Sequence, residues 1–235
     1  MVKYIEKCEL GDIQLKLAIF DFDGTLFKNE TLPGLGREWL RQKRSFTRYL
    51  LVYLSIIPHV LLYRSGLLPR EIFKLRVVER FNHLFYKMGK EEIEDFFRRA
   101  YPSLSKQFNK EVIVEIQAAK EQGLHTVLLS GAYASLLRIV ADDLGIDTVI
   151  GAELFYQEGI FDLNTPMPNI DGEEKLILLK KAFVGKDIDW ESSRSYGNSY
   201  TDIPVMQAAG SPVAVHPEPR LSRYAEKKKW RVIGG

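Results

Sequence analysis

Cysteine is almost missing from this chain of 235 residues: there is one, Cys8. A lone thiol excludes an intrachain disulfide framework and suits a reducing cytosol. Histidine is scarce too, and no grouping with zinc spacing forms among Cys8, His59, His83, His125 and His216. An excess of one charge is also lacking. The 33 Lys and Arg face 31 Asp and Glu, so no global field exists for gripping nucleic acid. The N-terminal MVKYIEKCEL has neither the long apolar stretch nor the small-residue cleavage site of a secretory signal. The longest uncharged apolar run, YLLVYLSIIPHVLLY at 49–63, falls short of the ~20 residues a spanning helix needs, and Pro58 and His59 interrupt it. There is no internal repeat and no low-complexity linker.

What remains is ordinary globular composition, 46% hydrophobic, enough for a sizeable core in one large domain or a core with an insertion. LKLAIFD at 15–21 is an apolar run broken only by Lys16, which reads as a buried central strand. HTVLLS at 125–130 reads as a second strand, after a helical stretch at 109–122 closed by Gly123. A strand at 148–150 follows a helix at 133–144, and 152–163 reads as a hairpin about Gln157-Glu158-Gly159. Helices at 173–183 and 203–209 alternate with strands at 194–196 and 213–215, and Val232-Ile233 adds an edge. Such alternation predicts an α/β fold: a three-layer, Rossmann-like core with a mostly parallel sheet. Between Glu30 and about Ser105 the pattern is helical throughout. Pro69 opens one helix there, with the 3.6-residue apolar recurrence of Phe73, Val77 and Phe81. The expected division is a core domain of 1–30 and 106–235, with a helical cap at 31–105 inserted after the first core strand.

The sharpest motif is Asp21-Phe22-Asp23-Gly24-Thr25 at the end of the first strand. Residues two apart leave a strand on one side, so both carboxylates can face one site. Open α/β sheets place ligands at the carboxyl ends of their strands. Two close carboxylates repel, and a magnesium ion with oxygen ligands is the usual remedy. One carboxylate can attack phosphorus while the other protonates the leaving oxygen and then activates water. Gly24 lets the chain turn and present amides to phosphate oxygens. Ser130-Gly131-Ala132 combines a hydroxyl with helix-start amides, an anion site that is also a routine turn. Lys175 alone reads more readily as a solvated surface lysine than as a ligand. Asn198 and Asp202, in Gly197-Asn198-Ser199-Tyr200-Thr201-Asp202, offer oxygen ligands or a capped helix start.

In this order the four signals resemble the haloacid-dehalogenase-like hydrolase superfamily, and more closely its phosphoserine-phosphatase-like branch, which carries a helical cap between the first two motifs. The resemblance covers nearly the whole chain. It implies Asp21 as nucleophile, Asp23 as general acid/base, and Ser130, Gly131 and Lys175 as phosphate-binding groups. It further implies a magnesium ion held by Asp21, Asp23, Asn198 and Asp202. Asn198 departs from the family pattern, which has aspartate there, so the metal shell loses one charge. Glu30, nine residues after Asp21, stands where phosphoserine phosphatases carry a glutamate that reads the substrate amine.

The function so implied is a cytoplasmic, magnesium-dependent phosphatase working through an aspartyl-phosphate on a small phosphometabolite or a lipid phosphate. The rivals are a phosphotransferase of the same superfamily and a catalytically weak protein that binds a phosphometabolite or a membrane. In the cap, Arg37, Arg41, Lys43, Arg44 and Arg48 precede the apolar run at 49–63 with only Glu38 opposing them. The expectation favoured here is an apolar helix buried in the cap beside a solvated basic face. The alternative is peripheral contact with an anionic membrane.

Overall fold

The structure is a computed structural model that describes residues 14–234; Cys8 and the N-terminal segment lie outside the described residues. Its first strand, β1 (Leu17–Phe20), is fully buried along its length. That is what a continuous apolar run at the centre of a two-sided sheet requires. Beside it run β2 (His125–Tyr133) and β3 (Thr148–Ala152) on one flank. On the other flank lie β6 (Arg194–Gly197), β7 (Ser211–Val215) and β8 (Arg231–Ile233). The order is β3-β2-β1-β6-β7-β8 and every pairing is parallel. A separate two-stranded ladder, β4 (Tyr156–Gln157) with β5 (Ile160–Phe161), is the expected hairpin, with Glu158 and Gly159 both at positive φ.

The parallel strands are joined by α5 (Lys110–Glu121), α6 (Ala134–Leu144), α7 (Glu173–Ala182) and α8 (Ile203–Ala208), with α9 (Pro219–Lys228) leading to β8. The strand order reverses at β1, so the right-handed rule for parallel crossovers sends the helices to both faces of the sheet. It also opens a crevice at the C-terminal ends of β1 and its neighbours. Asn109 caps α5 by accepting from the Glu111 amide, and Gly145 closes α6 in the left-handed region.

Between β1 and β2 the chain forms α1 (Thr31–Arg41), α2 (Phe46–Arg64), α3 (Arg70–Asn82) and α4 (Lys90–Leu104). Phe85 is the hub of their packing. It meets Trp39, Phe81, Phe97 and Tyr133 edge-on, with ring centroids 5.6–6.5 Å apart. Tyr133 belongs to β2, so one continuous apolar cluster joins the inserted helices to the sheet.

The expected burial of the 49–63 helix does not hold. In α2 only Val52 is buried, while Phe46, Leu50, Leu51, Leu54, Ile57 and Leu61 are exposed. The helix packs through one narrow seam, where Val52 with Tyr49, Tyr53 and Ile56 meets the core. A run that is apolar on all sides cannot reveal which side turns inward. The basic face is likewise not merely solvated. Arg44 lies over Trp39 and Phe96 at 5.4 and 5.2 Å and pairs with Glu92 at 2.9 Å. Arg48 donates to the Leu84 carbonyl at 3.0 Å.

Candidate active site

The loop after β1 is held by its own backbone and by β6. The Asp21 amide donates to the Tyr196 carbonyl at 3.0 Å, the Phe27 amide donates to the Phe22 carbonyl at 2.8 Å, and Gly24 takes φ +77°. A Cβ at Gly24 would stand 2.0 Å from the Asn198 side chain, so glycine is required for close approach as well as for the turn. Asp21 is buried. Its Oδ1 accepts from Lys175 Nζ at 2.7 Å and its Oδ2 from the Thr25 hydroxyl at 3.0 Å. Asp23 accepts from the Thr31 amide at 2.9 Å and from the Thr31 hydroxyl. The first turn of α1 thereby orients it.

Lys175 sits in the first turn of α7 and is buried, not solvated. Its ammonium bridges Asp21 Oδ1 and Asp202 Oδ1, each at 2.7 Å. Burial disfavours that charge, but Asp202 and Asp21 outweigh it and raise the pKa above the usual lysine range. Asp202 Oδ2 accepts from the Ser199 and Asn198 amides at 3.0 and 3.2 Å. Ser199 accepts in turn, completing a capping box around the turn Tyr200–Asp202. Asp202 thus caps the turn through Oδ2, not the α8 helix, while Oδ1 is held by Lys175 at the cavity.

Ser130 and Gly131 do not open a helix. The β2–β3 register shifts between Leu129 and Tyr133, and α6 begins only at Ala134. Ser130 and Gly131 therefore lie in an irregular strand end, where the Ser130 hydroxyl accepts from the Ala132 amide at 3.2 Å. Periodicity could not show a bulge.

The eight candidate site residues, Asp21, Asp23, Glu30, Ser130, Gly131, Lys175, Asn198 and Asp202, all line one cavity of about 450 Å³. Glu30 is exposed at its rim. Burial raises Asp21 to about 6, with the Asp202 charge adding and Lys175 opposing. Burial and then the Glu30 charge raise Asp23 to about 8, against the Thr31 hydrogen bonds.

The sequence reading missed the cavity's cationic wall. Arg70 and Lys74 on α3 line it, Arg70 reaching Glu218 at 3.0 Å and Lys74 reaching Asp171 at 2.8 Å. Arg76 and Arg80 on the same helix do not line it; Arg76 pairs with Glu79. The signal was present, since Arg70, Phe73, Lys74, Val77 and Val78 recur at helical spacing on one face.

Among the described residues no group of three or more His, Cys, Asp or Glu is arranged to hold a metal. Asn198 stands where a third acid would count, and Asp202 is engaged by Lys175 and two amides. The donor chemistry nevertheless fits a hard divalent cation. Asp21, Asp23, Asn198 and Asp202 offer oxygens only, and their negative charge is larger than Lys175 offsets.

A parallel sheet with two carboxylates at its switch point, a buried lysine and a helical insertion after the first strand defines a class of hydrolases. Residues 18–207 match the haloacid dehalogenase-like hydrolase family, and the chain belongs to it. The curated relatives that it resembles include phosphoserine phosphatases. It is 32% identical over 114 residues to a phosphoserine phosphatase of Polaromonas sp. JS666, covering 47% of this chain and 48% of that one. The match thus spans about half the length of that curated relative. A solved structure of a Bordetella pertussis Tohama I protein of unknown function aligns over 94% of this chain and 98% of its own, at TM-score 0.78 and 18% identity. A substrate-bound phosphoserine phosphatase aligns over 94% of each chain, at TM-score 0.63 and 20% identity. At those identities the structural matches speak to the fold.

Proposed function

We propose that this chain is a phosphoric monoester hydrolase that works through an aspartyl-phosphate on Asp21. The observation that carries the reading is the convergence on one cavity of a buried carboxylate, a lysine bonded to it at 2.7 Å, and the Ser130 hydroxyl. Asp21, ionised at neutral pH, attacks phosphorus. The P–O bond to the leaving group breaks, and Asp23 supplies that oxygen with its proton. Asp23 then takes a proton from water as the water attacks the acyl-phosphate, which returns inorganic phosphate and free Asp21. Lys175, Ser130 and the Gly131 amide hold the phosphoryl oxygens and offset their growing charge. The upward shift of Asp23 relative to Asp21 supports this division of roles.

Asp21, Asp23, Asn198 and Asp202 would hold magnesium, which when bound neutralises charge on the carboxylates and phosphate. Glu30, at the rim, would read a cationic group on the substrate. Residues 31–105 act as the cap over a core of 1–30 and 106–235. We place the protein in the cytoplasm, on a small or lipid phosphate monoester.

The test is turnover of p-nitrophenyl phosphate with and without magnesium, followed by phosphate release from phosphoamino acids, sugar phosphates, nucleotides and lipid phosphates. Magnesium-dependent release is the expected result. Release to an acceptor alcohol in preference to water would favour a phosphotransferase, and tight ester binding without turnover would favour a binding protein.

A further inference from the structure

The α2 helix carries an apolar stripe that nothing among the described residues covers. Phe46, Leu50, Leu54, Ile57 and Leu61 fall at i, i+4, i+8, i+11 and i+15, on one face, and each is exposed. At 1.5 Å per residue the stripe is about 22 Å long. The turn into α3 continues it with Leu67, 75% exposed. Single exposed leucines need no explanation, but a contiguous apolar row of this size marks an interaction surface.

Two observations say what covers it. The first is charge. Between Glu38 and Glu71 the sequence has no carboxylate, while Lys43 and Arg64 stand exposed at the two ends of α2. An apolar helix whose own charges, Arg48 and Arg64, are both positive complements an anionic bilayer. The opposite face is occupied by the seam on Val52, so the helix lies along a surface rather than crossing it, although it is long and apolar enough to span.

The second is the cavity wall on the same hairpin. Tyr63, near the C-terminal end of α2, is 39% exposed and also lines the cavity. It stacks at 4.5 Å on Phe73, another wall residue, and Val77, Val78, Met167 and Ile170 extend the apolar wall inward. The α2–α3 hairpin that carries the stripe on one face thus carries an apolar wall of the Asp21 cavity on the other.

We propose that the α2–α3 hairpin docks on an anionic lipid surface and admits from it a phosphate monoester with an apolar body. The substrate arm rests on the hydrolase reading above; the docking arm does not.

The test uses the full chain and vesicles of phosphatidylcholine with and without phosphatidylglycerol. Wild type should co-sediment with the mixed vesicles, less so at high salt because the attraction is screened. Changing Leu51, Leu54 and Leu61 together to serine at exposed positions should preserve the far-ultraviolet spectrum and reduce partitioning by about tenfold or more. Both proteins should hydrolyse p-nitrophenyl phosphate equally. Dodecyl phosphate embedded in the vesicles should be cleaved at least about fivefold more slowly by the variant, because only docking presents it.

Equal vesicle binding by both proteins, or none by wild type at low salt, would overturn the docking surface while leaving the hydrolase reading intact. So would light scattering that shows a wild-type dimer and a monomeric variant, since the stripe would then cover a second copy. Vesicle binding with no turnover of any ester would support the surface and count against the hydrolase reading alone.

Discussion

Asp21 and Leu54 stand on opposite sides of the burial rule: the carboxylate is 8% exposed and the leucine 52%. Around Asp21 the fold answers the violation itself, with Lys175, Thr25 and a loop of capped amides satisfying the buried polar atoms. Around Leu54 it offers no answer, because α2 touches the protein through one seam only. A breach compensated from within is the mark of a preorganised site. One left open is the mark of a surface completed by something else. The contrast can be broken at either end.

The largest effect is expected at the nucleophile. Asp21→Asn keeps the shape and the Thr25 contact but cannot form an acyl-phosphate, so turnover should fall at least about a thousandfold. Steady-state p-nitrophenyl phosphate hydrolysis measures this, and retained activity would place the nucleophile elsewhere.

Asp23→Asn should cost about a hundredfold or more in turnover, the usual contribution of a positioned acid/base. The same change should raise the urea midpoint of the metal-free protein at pH 9. With its pKa raised to about 8 in the fold, Asp23 binds a proton there that the unfolded chain releases, so it withdraws stability as pH rises. An amide removes that penalty while its oxygen still accepts from Thr31. A lower midpoint would contradict the burial argument.

Lys175→Met leaves Asp21 and Asp202 buried without their shared cation. Breaking such a pair from one side costs about 3–5 kcal/mol. The loss should shrink as pH falls. Without the ammonium to oppose it, burial raises Asp21 further, so Asp21 holds its proton more tightly folded than unfolded and the variant gains stability on acidification. Urea titrations at pH 5.5 and 8 test the sign, and a pH-independent deficit would show that lost packing dominates.

Asn198→Asp is the smallest change expected. It restores one negative charge to the oxygen set and should lower the half-saturating magnesium concentration by roughly three- to tenfold. Asp202→Ala should raise it and also loosen the loop, because the Asn198 and Ser199 amides lose their acceptor. An unchanged magnesium titration in both variants would remove this loop from the metal site.

Much of the core was legible because its signals are local. The apolar run of β1, the left-handed glycine after α6 and the hairpin at Glu158-Gly159 each fix their own backbone, and all lie where periodicity and turn chemistry put them. Asp21 and Asp23 were legible in their own motif, and Asn198 and Asp202 as possible oxygen ligands. Glu30, Ser130, Gly131 and Lys175 were assigned only through the family resemblance; the fold brings all eight to one cavity. What escaped depends on contacts made at a distance. The irregular end of β2 arises from its pairing with β3, and the burial of Lys175 from two acids remote in sequence. The Arg70 and Lys74 wall is defined by partners more than ninety residues away. The outward turn of α2 follows from which side finds a seam, and its uniform apolarity does not encode that.

The central claim is that Asp21 becomes covalently phosphorylated. The direct measurement is acid quenching of the enzyme during turnover of a phosphate ester, followed by proteolysis and mass spectrometry of the peptides. The account predicts an acid-stable, hydroxylamine-sensitive phosphoryl group on Asp21, absent in Asp21→Asn. A phosphoryl group on any other residue, or steady turnover with hydroxylamine having no effect and no phosphoenzyme at any time after mixing, would contradict it.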